Sequence, residues 1–83
     1  MEKKIPPLAS KWLEDLLVPI DSIKPHPDNY KEHPKKQIEA LRASIRAFGC
    51  TQPIKVNKDN IIVAGHGLYK LFKEDGYTHI PVS

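Results

Sequence analysis

The chain has 83 residues and one cysteine, and 13 basic against 10 acidic side chains give it a formal net charge of +3. A chain of this length forms one small domain with a marginal core, and its apolar residues form no run that predicts a membrane span or a secretory signal. The single cysteine excludes an internal disulfide and predicts a reducing, cytoplasmic location, while the mild positive charge permits contact with nucleotides or nucleic acid.

The first sixteen residues are predicted to form an arm that precedes a domain at residues 17–83. Two adjacent prolines favour an extended start, and Ser10 is placed to cap a short helix over residues 11–17. The apolar side of this helix consists of Trp12, Leu13, Leu16 and Leu17. We expect this side either to pack on the chain's own domain or to mediate self-association with another chain.

The domain is predicted to open with a short strand and a long helix. Val18, Ile20 and Ile23 favour the strand, with a bend at the Asp–Ser pair, and a polar loop rich in proline follows. The helix begins near Pro34, and its apolar stripe is expected to be buried: Ile38, Leu41, Ile45 and Phe48. Gly49 is then placed as a left-handed C-cap.

A hairpin, a second helix and a last strand complete the predicted order. "QPIKVN" alternates as a strand, "KDN" forms a turn, and "IIVAG" forms the second strand of the hairpin. The second helix turns Leu68, Leu71 and Phe72 inward and ends at Gly76, and "THIPVS" is the last strand. This order predicts an α/β domain with a small mixed sheet and two main helices, in which Ile54, Val56, Ile62 and Ala64 of the hairpin pack against the first helix.

The second strand runs directly into the triplet Gly65, His66 and Gly67, which opens the second helix. Two glycines allow a tight turn or a close approach of the backbone to another group. The first-turn N–H groups of a helix lack intrahelical partners, and together with the helix dipole they favour an anion. The triplet therefore predicts either a tight turn or an anion site.

Three stretches together resemble the N-terminal domain of the ParB family, which has the ParB/sulfiredoxin fold: "VPIDSIKPHPDN", "QIEALRASIRAFGCTQPIKVN" and "IIVAGHGLYKLFKEDGYTHIPV". The second stretch resembles the first conserved box of that family, and the third resembles its second box. The resemblance covers residues 17–82. The Gly-His-Gly variant is similar to stand-alone ParB-like domains of phages and mobile elements, so the resemblance implies a role in chromosome or plasmid partition or in phage DNA metabolism.

The resemblance also implies a site for a cytidine nucleotide, CTP or another nucleotide with Mg²⁺, formed by the two boxes. By position, the first box would contribute Gly49, Thr51 and Gln52, and the second would contribute Gly65, His66, Gly67, Leu68 and Tyr69. We expect residues 65–69 to form the mouth of the main polar pocket, with Gln52 on the opposite wall. Leu68 replaces an arginine of many relatives, so we expect weak binding, with Lys70 as a substitute charge.

The histidines and the cysteine are the candidates for acid–base, metal and thiol chemistry. His66 would contact phosphate, or act as an acid or base beside Asp28, Asn29 or Glu32, or bond to backbone as a turn residue. No catalytic residue is assigned, and because the four histidines lack paired ligand spacing, no metal site is predicted. The resemblance excludes a sulfiredoxin, because His66 stands where that enzyme has its catalytic cysteine, and Cys50 is expected to be a semi-buried hydrophobe.

The first helix carries basic side chains that are expected to lie away from its apolar stripe: Lys35, Lys36, Arg42 and Arg46. They would either contact DNA phosphates or form a solvated face. Three functions therefore remain open. These are a ParB-like module that binds nucleotide or DNA, a small nuclease or phosphotransferase on the same pocket, and an interaction adaptor with a degenerate nucleotide site.

Overall fold

The structure is a computed structural model that describes residues 2–27 and 34–83. Strands and helices follow in the predicted order, strand, helix, hairpin, helix, strand. The bounds are β1 Leu17–Pro19, α1 Lys35–Phe48, β2 Lys55–Val56, β3 Ile62–Ala64, α2 His66–Glu74 and β4 His79–Pro81. Short 3-10 helices span Lys11–Leu16 and Ile20–Ser22, so the predicted first strand is shorter than expected and its bend is a helical turn.

The strands form two antiparallel ribbons that parallel bridges connect. In one ribbon β1 pairs with β4, and in the other β2 and β3 form the predicted hairpin. A parallel bridge between Ile54 and Val82 joins the two ribbons, and the backbone N–H of Ile54 donates to Pro81 O at 3.0 Å. A second parallel bridge links Lys24 to Ile61. Strands therefore pair in both directions, which confirms the small mixed α/β fold.

The core lies between the ribbons and the two long helices, and α2 turns Tyr69, Leu71 and Phe72 into it. In α1, Ile38 and Ile45 are buried and Leu41 is half-buried against them. Two expectations are wrong: Phe48 is 74% exposed, and Ala64 is exposed at the end of β3. Ile38 and Ile45 lie almost two turns of about 3.6 residues apart, on one line, whereas Phe48 falls off that line in the last turn.

The N-terminal arm packs on the chain's own domain. Leu13 is completely buried, and the backbone N–H of Ala9 donates to Cys50 O at 2.9 Å. Nearer the start of the arm, the carbonyl oxygen of Lys4 accepts a hydrogen bond from the N–H of Thr78 at 2.8 Å. The predicted cap is wrong, since Ser10 makes no side-chain capping hydrogen bond and the helix it precedes is of the 3-10 type.

Gly49 ends α1 where the arm crosses it. Its φ of 80° is positive as predicted, but its ψ of 173° places it outside the left-handed helical region, so it is not the expected left-handed C-cap. A Cβ on Gly49 would lie 2.9 Å from Ala9 N and 3.0 Å from Leu8 C. Glycine is required here because the arm's backbone fills the space of a side chain.

The two main helices are short and amphipathic. Within residues 2–27 and 34–83, neither they nor any other helix is long and apolar enough to cross a membrane.

Candidate functional site

The junction between β3 and α2 is built around Gly65. This residue has a φ of 98° and a ψ of 25°, in the left-handed region, and it is the N-cap of α2 without a capping side chain. A Cβ here would lie 3.2 Å from Cγ1 of Ile54. The N–H of Tyr69 donates to Gly65 O at 3.0 Å, which is the first hydrogen bond of the helix. The backbone N–H groups before Tyr69 therefore have no acceptor within the helix.

The same junction brings the two boxes together. Ile54 lies near the end of the first box, and its side chain packs against Gly65 of the second. Thr51 and Gln52, just before Ile54, are exposed on the loop between α1 and β2. Ile54 thus places the first box beside the start of α2, whereas Gly49 makes room for the backbone of the arm.

Cys50, which lies in the first box, is a residue of the hydrophobic core. The residue is fully buried, and its thiol donates to Gln52 O at 3.1 Å. Burial raises the pKa of this thiol, since the thiolate would lose its hydration. The side chain behaves as a small buried hydrophobe, more deeply buried than expected.

His66 contacts the chain segment that leads away from β1. The backbone N–H of His26 donates to Nε2 of His66 at 3.4 Å. Lys24 anchors this segment beside β3, where its N–H donates to Asn60 O and its carbonyl accepts from Ile62 N. The segment therefore reaches the start of α2. The predicted partners Asp28, Asn29 and Glu32 lie outside the described residues, so the acid–base hypothesis for His66 stays a prediction.

Leu68 and Tyr69 point their side chains away from the predicted mouth. Leu68 packs against the core cluster, and Tyr69 belongs to that cluster. The ammonium group of Lys73 lies 5.6 Å from the centre of the Tyr69 ring. Of these two residues, Leu68 alone has a backbone N–H without an acceptor inside the helix, because that of Tyr69 donates to Gly65 O. The inward side chain of Leu68 agrees with the sequence prediction, whereas the burial of Tyr69 was not predicted.

Arg42 joins α1 to the end of α2. Its Nε donates to both carboxylate oxygens of Asp75, at 3.2 and 3.1 Å, and its Nη2 lies 3.3 Å from Oε1 of Glu74. Its Nη1 pairs with Glu39. The hydrogen bonds that the guanidinium donates to Asp75 and then to Glu39 raise its pKa. The side chain is 14% exposed, so the expectation that Arg42 shares a solvated face with Lys35, Lys36 and Arg46, which are exposed, is wrong.

A cavity of about 230 Å³ lies between α1 and α2. Its lining residues are Lys35, Ile38, Glu39, Lys70 and Glu74. Lys70 therefore faces this cavity, which residues 65–69 and Gln52 do not line. The predicted pocket between the glycine turn and Gln52 stays a prediction. Within residues 2–27 and 34–83, no three His, Cys, Asp or Glu side chains are grouped to hold a metal ion.

Comparisons with known proteins agree with this arrangement. The chain matches no protein-family model. It is 33% identical over 58 residues to the ParB-like nuclease domain-containing protein YnaK of Escherichia coli K12, and the match covers 70% of this chain and 67% of that protein.

Three solved structures share the fold. The C-terminally truncated chromosome-partitioning protein ParB from Caulobacter crescentus, complexed with CTP-gamma-S, superposes with a TM-score of 0.66 and 28% identity over 81% of this chain. A Pnob8-like ParB-N domain superposes with a TM-score of 0.65 and 16% sequence identity over 80% of this chain. Sulfiredoxin from Arabidopsis thaliana superposes with a TM-score of 0.65 and 19% sequence identity, and the match covers 81% of each chain.

The match spans only part of the two ParB chains, 41% of the Caulobacter protein and 27% of the Pnob8-like one. The likeness to the Pnob8-like domain and to sulfiredoxin concerns the fold alone. YnaK supplies the sequence relationship, because two thirds of its length aligns with this chain. The chain belongs to the ParB-like family, within the ParB/sulfiredoxin superfamily.

Proposed function

We propose that this protein is a nucleotide-binding ParB-like module that holds the phosphates of CTP, or of another nucleotide with Mg²⁺, at the start of α2. The observation that carries the proposal is the left-handed Gly65, which caps α2 without a side chain and packs on Ile54. The first-turn N–H groups have no acceptor within the helix, and backbone donors and the dipole at a helix start favour a phosphate. The Caulobacter ParB, 28% identical to this chain, was solved with CTP-gamma-S.

The residues at this end fit the phosphates of a nucleotide better than they fit a metal ion. The N–H groups of Gly67 and Leu68 would donate to phosphate oxygens, and the exposed amide of Gln52 would contact the base or the ribose. Mg²⁺ commonly keeps several waters and binds through substrate phosphates, so it would arrive with the nucleotide. Its charge would offset repulsion among the phosphate oxygens.

Binding should be weak for a physical reason. A bidentate arginine is a strong phosphate ligand, and this chain has Leu68 in its place, with the side chain packed on the core. Backbone donors and the helix dipole must then supply most of the affinity. A Leu68→Arg variant would still be expected to tighten binding, provided that the longer side chain extends to solvent and the domain remains folded.

The test is an NMR titration of the whole chain with CTP, CTP-gamma-S and ATP in the presence of Mg²⁺. We expect amide shifts at Gly65, Gly67 and Leu68 and at Gln52. Gly67→Val should abolish them by blocking the backbone, whereas Gly67→Ala, the matched control, should retain binding and raise helix stability by about 1 kcal/mol. Unchanged amide signals at residues 65–69 with millimolar nucleotide would remove the proposal.

A second candidate, a small nuclease or phosphotransferase on the same site, is favoured by the name of the relative YnaK, which contains a ParB-like nuclease domain. Incubation with labelled nucleotide and with plasmid DNA, followed by product analysis, separates an enzyme from a binder. DNA association would use the exposed Lys35, Lys36 and Arg46, and random duplex should then bind less tightly as salt is added. If neither nucleotide nor DNA binds, an interaction adaptor becomes the better description.

The proposed process is the one that the family resemblance implies, partition of a chromosome or plasmid or the DNA metabolism of a phage. We also propose residues 17–83 as the ParB-like domain and residues 1–16 as an arm docked on it. The arm buries Leu13 and leaves Trp12 54% exposed. An exposed tryptophan on the arm is the feature through which self-association would occur.

A further inference from the structure

The arm supplies the hydrogen-bond partners for the backbone of Cys50. The N–H of Cys50 donates to Pro7 O at 2.7 Å, and its carbonyl accepts from the N–H of Ala9 at 2.9 Å. The two bonds make a parallel bridge between Leu8 and Cys50. Cys50 is fully buried, and an unpaired backbone group in a core is costly. The arm therefore completes the backbone of a core residue that belongs to the first box.

Cys50 is also one of two fixed points of the loop that carries Thr51 and Gln52. Its thiol donates to Gln52 O at 3.1 Å, so the loop folds back on the residue that the arm holds. The other fixed point is Ile54, whose N–H donates to Pro81 O at 3.0 Å. Thr51 and Gln52 lie between these points and are exposed. Their positions depend on the arm at one side and on β4 at the other.

The second fixed point touches the proposed nucleotide site. Cγ1 of Ile54 lies 3.2 Å from the position of a Cβ on Gly65, where α2 begins. The loop between Cys50 and Ile54 is restricted in its conformations only while both of its ends are held. A displacement of Cys50 would therefore move Gln52 relative to the first turn of α2.

We infer that the arm is a positioning element for the nucleotide site, so that docking of the arm on Cys50 and binding of nucleotide favour each other. The inference rests on the proposed function, in which Gln52 contacts the base or the ribose. With the arm docked, the loop is ordered before the nucleotide arrives, and less conformational freedom is lost on binding. Such coupling is reciprocal, so bound nucleotide should hold the arm more firmly.

Leu8 is the residue at which the arm can be loosened without changing either box. Its side chain is half-buried against the core cluster, at the bridge to Cys50. Leu41 provides a matched control, because it is also a half-buried leucine packed against that cluster, but it lies on α1. The two Leu→Ala substitutions remove the same atoms, and only Leu8→Ala weakens the docking of the arm.

The test is an NMR titration of the whole chain and of the two variants with CTP in the presence of Mg²⁺. We expect Leu8→Ala to weaken binding about fivefold, the lower end of common couplings between sites. Leu41→Ala should leave the affinity unchanged. Without nucleotide, the amides of Thr51 and Gln52 should have lower order parameters in Leu8→Ala than in Leu41→Ala, because the loop has lost one fixed point.

Hydrogen exchange in the wild type measures the reciprocal effect. The N–H of Ala9 should exchange more slowly when nucleotide is added, by up to the same factor of about five. Asn57 is the control, because its N–H donates to Ile61 O in the hairpin, away from the arm. Its exchange should slow less than that of Ala9.

A second variant loosens the arm at its other end if Leu8→Ala does not fold. The N–H of Lys4 donates to Oγ1 of Thr78 at 2.8 Å, and this hydroxyl donates to Lys4 O at 3.1 Å. Thr78→Val removes both bonds, so it should weaken nucleotide binding in the same direction and to a smaller degree. Its control is Ser22→Ala, which removes the exposed hydrogen bond to Pro19 O.

Three results would overturn the inference. Equal weakening in Leu8→Ala and Leu41→Ala would mean that lost stability, rather than the arm, lowers the affinity. Tighter binding in Leu8→Ala would mean that the arm obstructs the site. Unchanged order parameters at Thr51 and Gln52 in Leu8→Ala would mean that the arm does not hold the loop. If the wild type binds no nucleotide, the proposed function fails, and these order parameters alone decide whether the arm positions the loop.

Discussion

Gly49 ends α1 in the first box and Gly65 begins α2 in the second, and the structure uses the two glycines differently. Both have positive φ, 80° and 98°. The space beside Gly49 is filled by backbone of the arm, with Ala9 N 2.9 Å from where a Cβ would be. The space beside Gly65 contains the side chain of Ile54, and α2 begins at the next residue. One glycine makes room for the backbone of the arm, and the other lets the chain turn from β3 into α2, so a glycine box alone does not indicate a ligand.

The largest effect on stability is expected for a substitution of Leu13, which anchors the arm to the core. Leu13→Ala should lower the free energy of unfolding by about 2–5 kcal/mol, because the side chain is completely buried and its removal leaves a cavity. Urea denaturation followed by circular dichroism measures the change. A loss below about 1 kcal/mol would mean that the arm is not part of the cooperative core and that Gly49 is not held by it.

The glycine at the arm is tested next. Gly49→Ala should cost about 1–3 kcal/mol more than Gly76→Ala, because its new methyl group would overlap the backbone of residues 8 and 9. Gly76 is a matched control, since its φ is 77° and the nearest atom to a Cβ is the flexible Lys4 Nζ at 3.9 Å. Equal losses in chemical denaturation would show that the arm yields and that backbone strain alone decides both.

The same substitution at Gly65, at the start of α2, should lower the stability of the protein less than it does at Gly49. Gly65→Ala should cost about 1–2 kcal/mol, the penalty for a left-handed backbone, because its neighbour is a side chain at 3.2 Å. It should nevertheless weaken nucleotide binding by shifting the helix start. If Gly65→Ala destabilises the protein more than Gly49→Ala in the same denaturation series, the contrast between the two glycines is wrong.

Cys50 gives a pH-dependent measure of the arm contact. Because burial raises the pKa of this thiol, the native state keeps its proton after the unfolded chain has lost it. This contribution to stability is complete below the unfolded pKa of about 8.5 and declines as pH rises above it. We expect the free energy of unfolding to fall more steeply above that pH than in Cys50→Ala. Parallel pH profiles for the two proteins would contradict this.

The smallest effect on stability is expected at Trp12. Trp12→Ala should change the free energy of unfolding by no more than about 0.5 kcal/mol, since the side chain is 54% exposed. If the arm mediates self-association, the same variant should sediment as a smaller species at high concentration. Phe48→Ala, at a position 74% exposed on α1 and outside the arm, is the control that should leave sedimentation unchanged. Identical sedimentation of wild type and Trp12→Ala would remove the arm as an association surface.

The sequence by itself determined the order of the elements and the buried positions of α1 at Ile38 and Ile45, but not at Phe48, which is exposed. Ile38 and Ile45 were identified as core because helical spacing is a local property, and Gly49 and Gly65 were identified as special backbone positions because glycine is the residue that adopts positive φ without penalty. The family followed from the same local boxes. These features depend on residues that are close in the chain.

Tertiary structure decided which side chains are available to a ligand. Arg42 looked like a free basic residue, but its partner Asp75 lies 33 positions away. His26 meets His66 across 40 positions. Contacts at such separations depend on how the elements pack, which spacing along the chain does not encode. The cavity between Lys35 and Lys70 arises in the same way, from two helices that only the folded domain brings side by side.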